Sequence, residues 1–267
     1  MAFLRYHDVQ VKIDGDNIFA QSASIGVDAS VSEVRHTDGD IFRYAPTNGL
    51  RGQLSLEYYM TGSINTNFNP ITATETAMDG IFAGLSFSNI YAKSLTFSME
   101  PYRPILVQST FDFYSDLSNT ISSSFEDPTA NAAWDGQGKY AHGAVSYLAG
   151  LPDRMNNTIS FDYSSSAERV PVYLIGETTP TRVTLEKTQC NMRLKGSDIG
   201  GVIQTSGTNA NITCYLEDIN SRSNIANFNV NGEIISQRLS ASDNGYLEGE
   251  IGVSQVHSCL LYTSDAA

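Results

Sequence analysis

Leu50–Gly62, which reads LRGQLSLEYYMTG, decides the fold class. Leu50, Gly52, Leu54, Leu56, Tyr58 and Met60 occupy every second position, and Arg51, Gln53, Ser55, Glu57 and Tyr59 fill the places between. A period of two belongs to a strand with one packed and one wet face. An amphipathic helix would repeat its apolar positions every three or four residues. The same alternation continues on both sides of this segment. In SASIGVDASVSEV, residues 22–34, Ile25, Val27, Ala29 and Val31 share a side. In KSLTFSMEPYRPILVQSTFDFYS, residues 93–115, Leu95, Phe97 and Met99 alternate, then Val107, Ser109, Phe111 and Phe113. Pro101 and Pro104 split that run into two strands with a turn between them. Further strands are expected at Tyr6–Ile13, Ala210–Leu216, Ile234–Ala241 and Tyr246–Val253.

Turn and helix signals fill the gaps. Asn48-Gly49, Asn231-Gly232 and Asn244-Gly245 read as turn dipeptides, the last joining two alternating runs into a hairpin. One short helix is expected at Thr74–Phe82, TETAMDGIF, with Thr72 or Thr74 as cap and Gly84 as stop.

Composition agrees with a β-rich chain. Hydrophobic residues make up 41% and aromatic residues 10% of the 267 positions, enough for a packed core. Charged residues are only 17%, below the roughly 25% of an average soluble domain. Sixteen basic against 29 acidic residues give a net charge of −13. A broad basic face for nucleic acid is therefore excluded, because the chain would repel phosphates. No apolar run approaches the 18 or so residues of a membrane helix, and the opening MAFLRYHDVQVKIDGD lacks the apolar core of a signal peptide. Residues 259–267, CLLYTSDAA, resemble one reading frame of a transposon-end sequencing adapter, so the fold reading stops at Ser258.

An internal repeat organises the rest. Shifted by 134 residues, positions 25–63 match 159–197 at 10 of 39 ungapped pairs, where chance gives about two or three. Arg35 falls on Arg169, Pro46 on Pro180, Gly62 on Gly196 and Asp28 on Asp162, while the inward Tyr58 and Met60 fall on Met192 and Leu194. These pairs predict an all-β chain of two tandem, duplicated antiparallel β-sandwich or barrel-like units, the first carrying the short helix. The units are residues 1–115 and 144–258, joined by a polar linker at 116–143. Pro46 and Pro180 are expected at equivalent turns, and Gly62 and Gly196 at the ends of equivalent strands. Arg35 and Arg169 are candidate equivalent contacts, each for an ion pair within or between subunits.

Catalytic patterns are missing. His7, His36, His142 and His257 form no i,i+4 pair, and Cys190, Cys214 and Cys259 share no metal-ligand spacing. Gly84-Leu85-Ser86-Phe87-Ser88 lacks the second glycine of a nucleophile elbow, and Gly200-Gly201 is not followed by a phosphate-loop lysine. Asp14-Gly15-Asp16 and Asp38-Gly39-Asp40 have no ligand ladder for calcium and read as turns. Tyr58-Tyr59, Tyr102, Tyr114, Trp134 and Tyr140 are candidates for stacking on sugar rings, with Tyr58 assigned by alternation to the core. No enzyme, cofactor or metal is expected.

The runs SASIGVDASVSEV, YAPTNGLRGQLSLEYYMTGSI and AKSLTFSMEPYRPILVQSTFDFY, within residues 20–115, resemble virion structural proteins of marine tailed bacteriophages. That resemblance implies a tail-tube-like or tail-associated β module, made in the host cytoplasm and built into the virion. Its partners would be copies of itself in a ring or tube and other virion proteins, with no sequence-specific nucleic acid and no membrane. An acidic inner wall would let DNA slide past, and a duplicated chain would let a trimer imitate a six-fold ring. The second unit departs from the pattern, since Tyr58-Tyr59 becomes Met192-Arg193. The competing classes are a carbohydrate-binding or adhesion β-sandwich and a head-decoration protein.

Overall fold

The computed structural model of the chain describes residues 9–28, 30–37, 39, 41–46, 49–61, 66–72, 75–122, 140–151, 157–197, 207–241 and 247–258. Fifteen strands run through them: β1 (Val11–Ile13), β2 (Asp16–Asn17), β3 (Ala20–Asp28), β4 (Val31–Arg35), β5 (Ile41–Pro46), β6 (Arg51–Tyr59), β7 (Met78–Phe82), β8 (Leu85–Met99), β9 (Leu106–Phe113), β10 (Tyr147–Ala149), β11 (Thr158–Val172), β12 (Arg182–Ser197), β13 (Asn209–Glu217), β14 (Asn224–Ser240) and β15 (Glu248–Ser258). The fold is all-β, every pairing is antiparallel, and the one helical element among the described residues is a 3₁₀ turn at Thr66–Phe68.

β6 behaves as its alternation requires. Gly52, Leu54, Leu56 and Tyr58 are buried, whereas Arg51 and Gln53 are exposed. Gly52 has to lack a side chain, because a Cβ there would lie 2.1 Å from the Phe113 ring of the neighbouring β9. The break at Pro101 and Pro104 also appears where expected, between β8 and β9.

Thirteen strands form one sheet in which β8 is the branch point. Along one edge β8 pairs with β9, which continues to β6 and then β3. Its other edge is shared. Met78–Phe82 of β7 takes β8 up to Ile90, and β11 takes it from Ser94 to Met99. Beyond β11 the order is β12, β15, β14, β13 and β10. The β8–β11 pairing therefore makes one continuous sheet of the two halves of the chain. The sheet does not close, and β3 and β10 are terminal strands. It curls instead, so that Phe228 of β14 lies 4.7 Å from Phe97 of β8 and 4.9 Å from Tyr163 of β11, ring centre to ring centre. The interior thus gathers Leu54, Leu95, Phe111, Phe161, Leu194 and Val253, from six strands, into one core.

The expected helix and its stop are both corrected. Residues 78–82 are strand β7 and not the second half of a helix over Thr74–Phe82; Thr74 itself lies outside the described residues. β8 and β1 flank this segment and satisfy its backbone as a ladder, and Gly80, a poor helix former, lets Phe87 and Ile90 pack across it. Gly84 does not stop a helix either. With Ala83 (φ 52°) and Gly84 (φ 84°) both left-handed, it makes the two-residue hairpin turn from β7 to β8. Asp14-Gly15 (φ 52° and 85°) makes the same turn between β1 and β2, as its reading as turn chemistry requires.

Asn231-Gly232 is not a turn but lies inside β14, where Ala210 pairs with Gly232. β14 changes partners there: up to Glu233 it pairs with β13, and from Glu233 onward with β15, with an irregularity between Ile234 and Ser236. Asn244-Gly245 lies outside the described residues, but the strands flanking it pair as a hairpin, Ser240 opposite Glu248.

The polar segment 116–143 is tied down at both described ends. Ser86 and Ser118 exchange backbone hydrogen bonds. Ala141 is fully buried, donating to the Met60 carbonyl and accepting from the Ile105 amide.

Candidate functional site

Two features of the outer sheet surface bring chemistry-bearing side chains together. The first is the fork where β7 and β11 part along β8. Tyr91, Ala92 and Lys93 lie between the two pairings. Lys93 is also skipped in the β8–β9 ladder, which passes from Ala92–Phe111 to Ser94–Thr110. Arg169 of β11 fills this gap. It donates from Nη1 to the Ala92 carbonyl, and its guanidinium carbon stands 5.5 Å from the centre of the Tyr91 ring. Burial pulls the Arg169 pKa below its ordinary value. Its Nε and Nη2 are buried without a hydrogen-bond partner.

Asp112 of β9 is the anion of this cluster. It accepts from Arg51 Nη2 at 2.9 Å and from Lys93 Nζ at 3.1 Å. The hydrogen bond to Asp112 raises the Arg51 pKa. Burial raises the Tyr91 and Tyr114 hydroxyls, whose rings pack 6.1 Å apart. A raised phenol keeps its proton at neutral pH, so the cluster presents Tyr91 and Tyr114 as neutral rings around the Arg169 guanidinium.

The second feature is a groove of about 850 Å³ across the outward faces of β9, β8, β11, β12 and β15. Its polar lining includes Ser98, Gln108, Asp162, Asn191 and Arg193, all placed by strand alternation. Ser98 Oγ donates to Asp162 Oδ1 at 2.5 Å. Arg103 pairs with Glu100 at 2.6 Å, and Arg193 with Glu250 at 3.0 Å. Tyr59 lines one end, with Tyr140 edge-on against it at 5.7 Å. Tyr102 sits in the β8–β9 turn between the lining residues Glu100 and Arg103, 82% exposed and at φ 60°.

The residues singled out by sequence are scattered across the fold. Arg35 is exposed and forms an ion pair with Glu33, two residues away on β4, with Nε 2.9 Å from the carboxylate. Arg169 has no ion pair among the described residues, so the two arginines make different contacts. Pro46 closes β5 opposite Val31, whereas Pro180 lies in the loop between β11 and β12. Gly196 is near the end of β12, opposite Thr158 and Gly249; Gly62 lies outside the described residues.

Of the sugar-stacking candidates, Tyr58 is in the core as alternation assigned, bonded to Ser109 at 3.2 Å, and Trp134 is outside the described residues. Tyr59 lines the groove, Tyr140 packs against it, and Tyr102 stands in the turn between the lining residues Glu100 and Arg103. The groove's polar floor, Asp162, Asn191 and Arg193 above all, was not picked out as a site by sequence. The signal available was the wet half of each alternating strand, which says a residue faces out but not which strands lie side by side. Comparison with known proteins finds no family model that matches this chain, and no curated protein matches it.

Proposed function

We propose that this chain is a self-assembling structural subunit, a tail-tube-like or tail-associated component of a tailed-phage virion, in which neighbouring copies join through sheet edges. The observation that carries this reading is the bare edge of β3. Among the described residues its nine positions, Ala20–Asp28, pair only with β6. Its sequence AQSASIGVD has no lysine, no proline and no charge before Asp28. Monomeric proteins protect long free edges with such residues, because an unprotected edge recruits another strand. Next in the chain stands the separate β4–β5 hairpin, with every residue of β4 exposed, including Val31 and Val34. A lone two-stranded hairpin is marginal in water, and docking on a neighbour would secure it. The net charge of −13 fits an inner wall past which DNA slides.

The two-unit organisation belongs to the same reading, with the curled sheet acting as a sandwich-like enclosure. The 134-residue offset carries β3 onto β11 and β6 onto β12, and both are antiparallel neighbours. The register differs. Ile25 pairs with Leu54, but Thr188, the counterpart of Leu54, pairs with Ala167, eight residues beyond the counterpart of Ile25. A duplicated pair whose register has slid would give the two units unequal edges.

Sedimentation velocity on the chain and its Gly26→Lys variant tests the reading. A side chain added at Gly26 meets no atom within 4 Å, so the variant folds and places a charge on the β3 edge. The expected result is a discrete oligomer for the parent chain and a shift toward monomer for the variant. Equal masses for the two would remove the β3 edge from assembly.

A further inference from the structure

We infer that the groove across β9, β8, β11, β12 and β15 binds a neutral oligosaccharide, with Tyr102 and Tyr59 as stacking platforms and Asp162 and Asn191 as hydrogen-bonding groups. This inference goes beyond self-assembly and does not depend on it.

The floor is the first ground. Neighbouring strands present side chains about 4.7–4.9 Å apart, the scale of one sugar ring. Here those side chains include hydroxyls, amides, a carboxylate and a guanidinium: Ser98, Gln108, Asp162, Ser164, Asn191 and Arg193. Such a row offers donors and acceptors in alternation, as a polyhydroxylated chain requires. Asp162 lines the groove and accepts from Ser98 through Oδ1 alone, so a carboxylate has accepting capacity to offer ligand hydroxyls.

Charge narrows the class. The groove cations are already matched, Arg103 by Glu100 and Arg193 by Glu250, so no surplus positive charge awaits an anion. With the whole chain at −13, nucleic acid and acidic polysaccharides are disfavoured.

The second ground is the exposed ring of Tyr102, placed between the lining residues Glu100 and Arg103. Tyr102 follows Pro101 in the β8–β9 turn, where the residue after the proline takes the left-handed region, and the turn leaves its ring 82% in water. An exposed ring beside a hydrogen-bonding groove is suited to stack on the C–H face of a sugar, burying apolar area while the hydroxyls stay bonded to the floor. Tyr59, with Tyr140 edge-on behind it, presents a second ring at the β6 side.

Isothermal titration of the chain with maltohexaose, cellohexaose and chitohexaose tests this. At least one should bind in the millimolar range or tighter. Tyr102→Gly removes the ring while relieving the backbone, so that variant folds. It and Asp162→Asn should each weaken binding about tenfold, a change of about 1.4 kcal/mol. Tyr147→Ala, which removes an exposed ring stacked on Tyr215 outside the groove, should leave binding unchanged. Absence of binding by all three hexasaccharides at about 10 mM, where a millimolar site would be mostly filled, overturns the inference. So does binding that neither groove variant weakens.

Discussion

Arg169 places a cation where the backbone ladder of β8 has a gap, and its contacts there explain both its value and its cost. One nitrogen serves the Ala92 carbonyl, while two others are buried without a partner. Arg169→Ala leaves that carbonyl without its donor and removes the contact over Tyr91. Urea unfolding should show a loss of about 1–3 kcal/mol. Arg169→Met keeps the packing volume and removes the two unpartnered nitrogens, so it should cost less than alanine. A smaller loss for alanine than for methionine would contradict this view of the fork. The chemistry of the position was not legible in sequence: Ala92 is 77 residues away and Asp112 lies on a third strand. The match of Arg35 to Arg169 pointed to an ion pair, whereas Arg169 meets the Ala92 carbonyl and the Tyr91 ring.

Buried titratable groups set the response to alkali. Burial pushes the Tyr58 hydroxyl from 10 up to about 12 and the Cys190 thiol from 9 up to about 12. Tyr163 and Cys214 are raised further, again by burial. The folded state therefore keeps protons that the unfolded chain gives up above pH 9 to 10. Their contribution to stability is complete below that range and is lost as pH rises toward 12. Unfolding free energy should fall between pH 9 and pH 12, by about 1.4 kcal/mol per pH unit for each group still protonated only in the folded state. Tyr58→Phe should lower stability modestly at neutral pH by removing the bond to Ser109, and should flatten the slope above pH 10. An unchanged slope would remove Tyr58 from the account.

At the scale of the element, legibility followed locality. β6 was readable because its alternation is complete within thirteen residues and both faces meet the environments the pattern encodes. β7 was misread as helix because its partners, β1 and β8, and the rings over Gly80 are all tertiary. Asn231-Gly232 was misread for a related reason. The dipeptide favours a turn locally, but Gly232 serves a close approach between strands, where a Cβ would sit 2.2 Å from the Ser254 carbonyl oxygen. Gly232→Ala should therefore destabilise by about 1–3 kcal/mol, more than glycine-to-alanine exchange in an open strand. A stabilised Gly232→Ala variant in thermal unfolding would show that β14 tolerates a side chain where it crosses from β13 to β15.

For the whole molecule, composition and alternation made the all-β class legible, whereas the joining of the halves was not. A repeat with a polar segment between its copies reads as two units on a string. The β8–β11 ladder and the shared core merge them into one open sheet. Strand pairing across 62 to 72 residues, as between Phe161 and Met99 and between Ser166 and Ser94, leaves no local mark. Nor does the groove, which exists only because β9, β8, β11, β12 and β15 are neighbours in space. Among the described residues the β3 edge has no second partner and the β4–β5 hairpin stands outside the main sheet, and the proposed self-assembly would use both. Negative-stain electron microscopy of the purified chain, from dilute solution to the highest concentration reached, tests that most directly. Self-assembly predicts rings or tubes of uniform diameter; monodisperse single subunits throughout the series would contradict it.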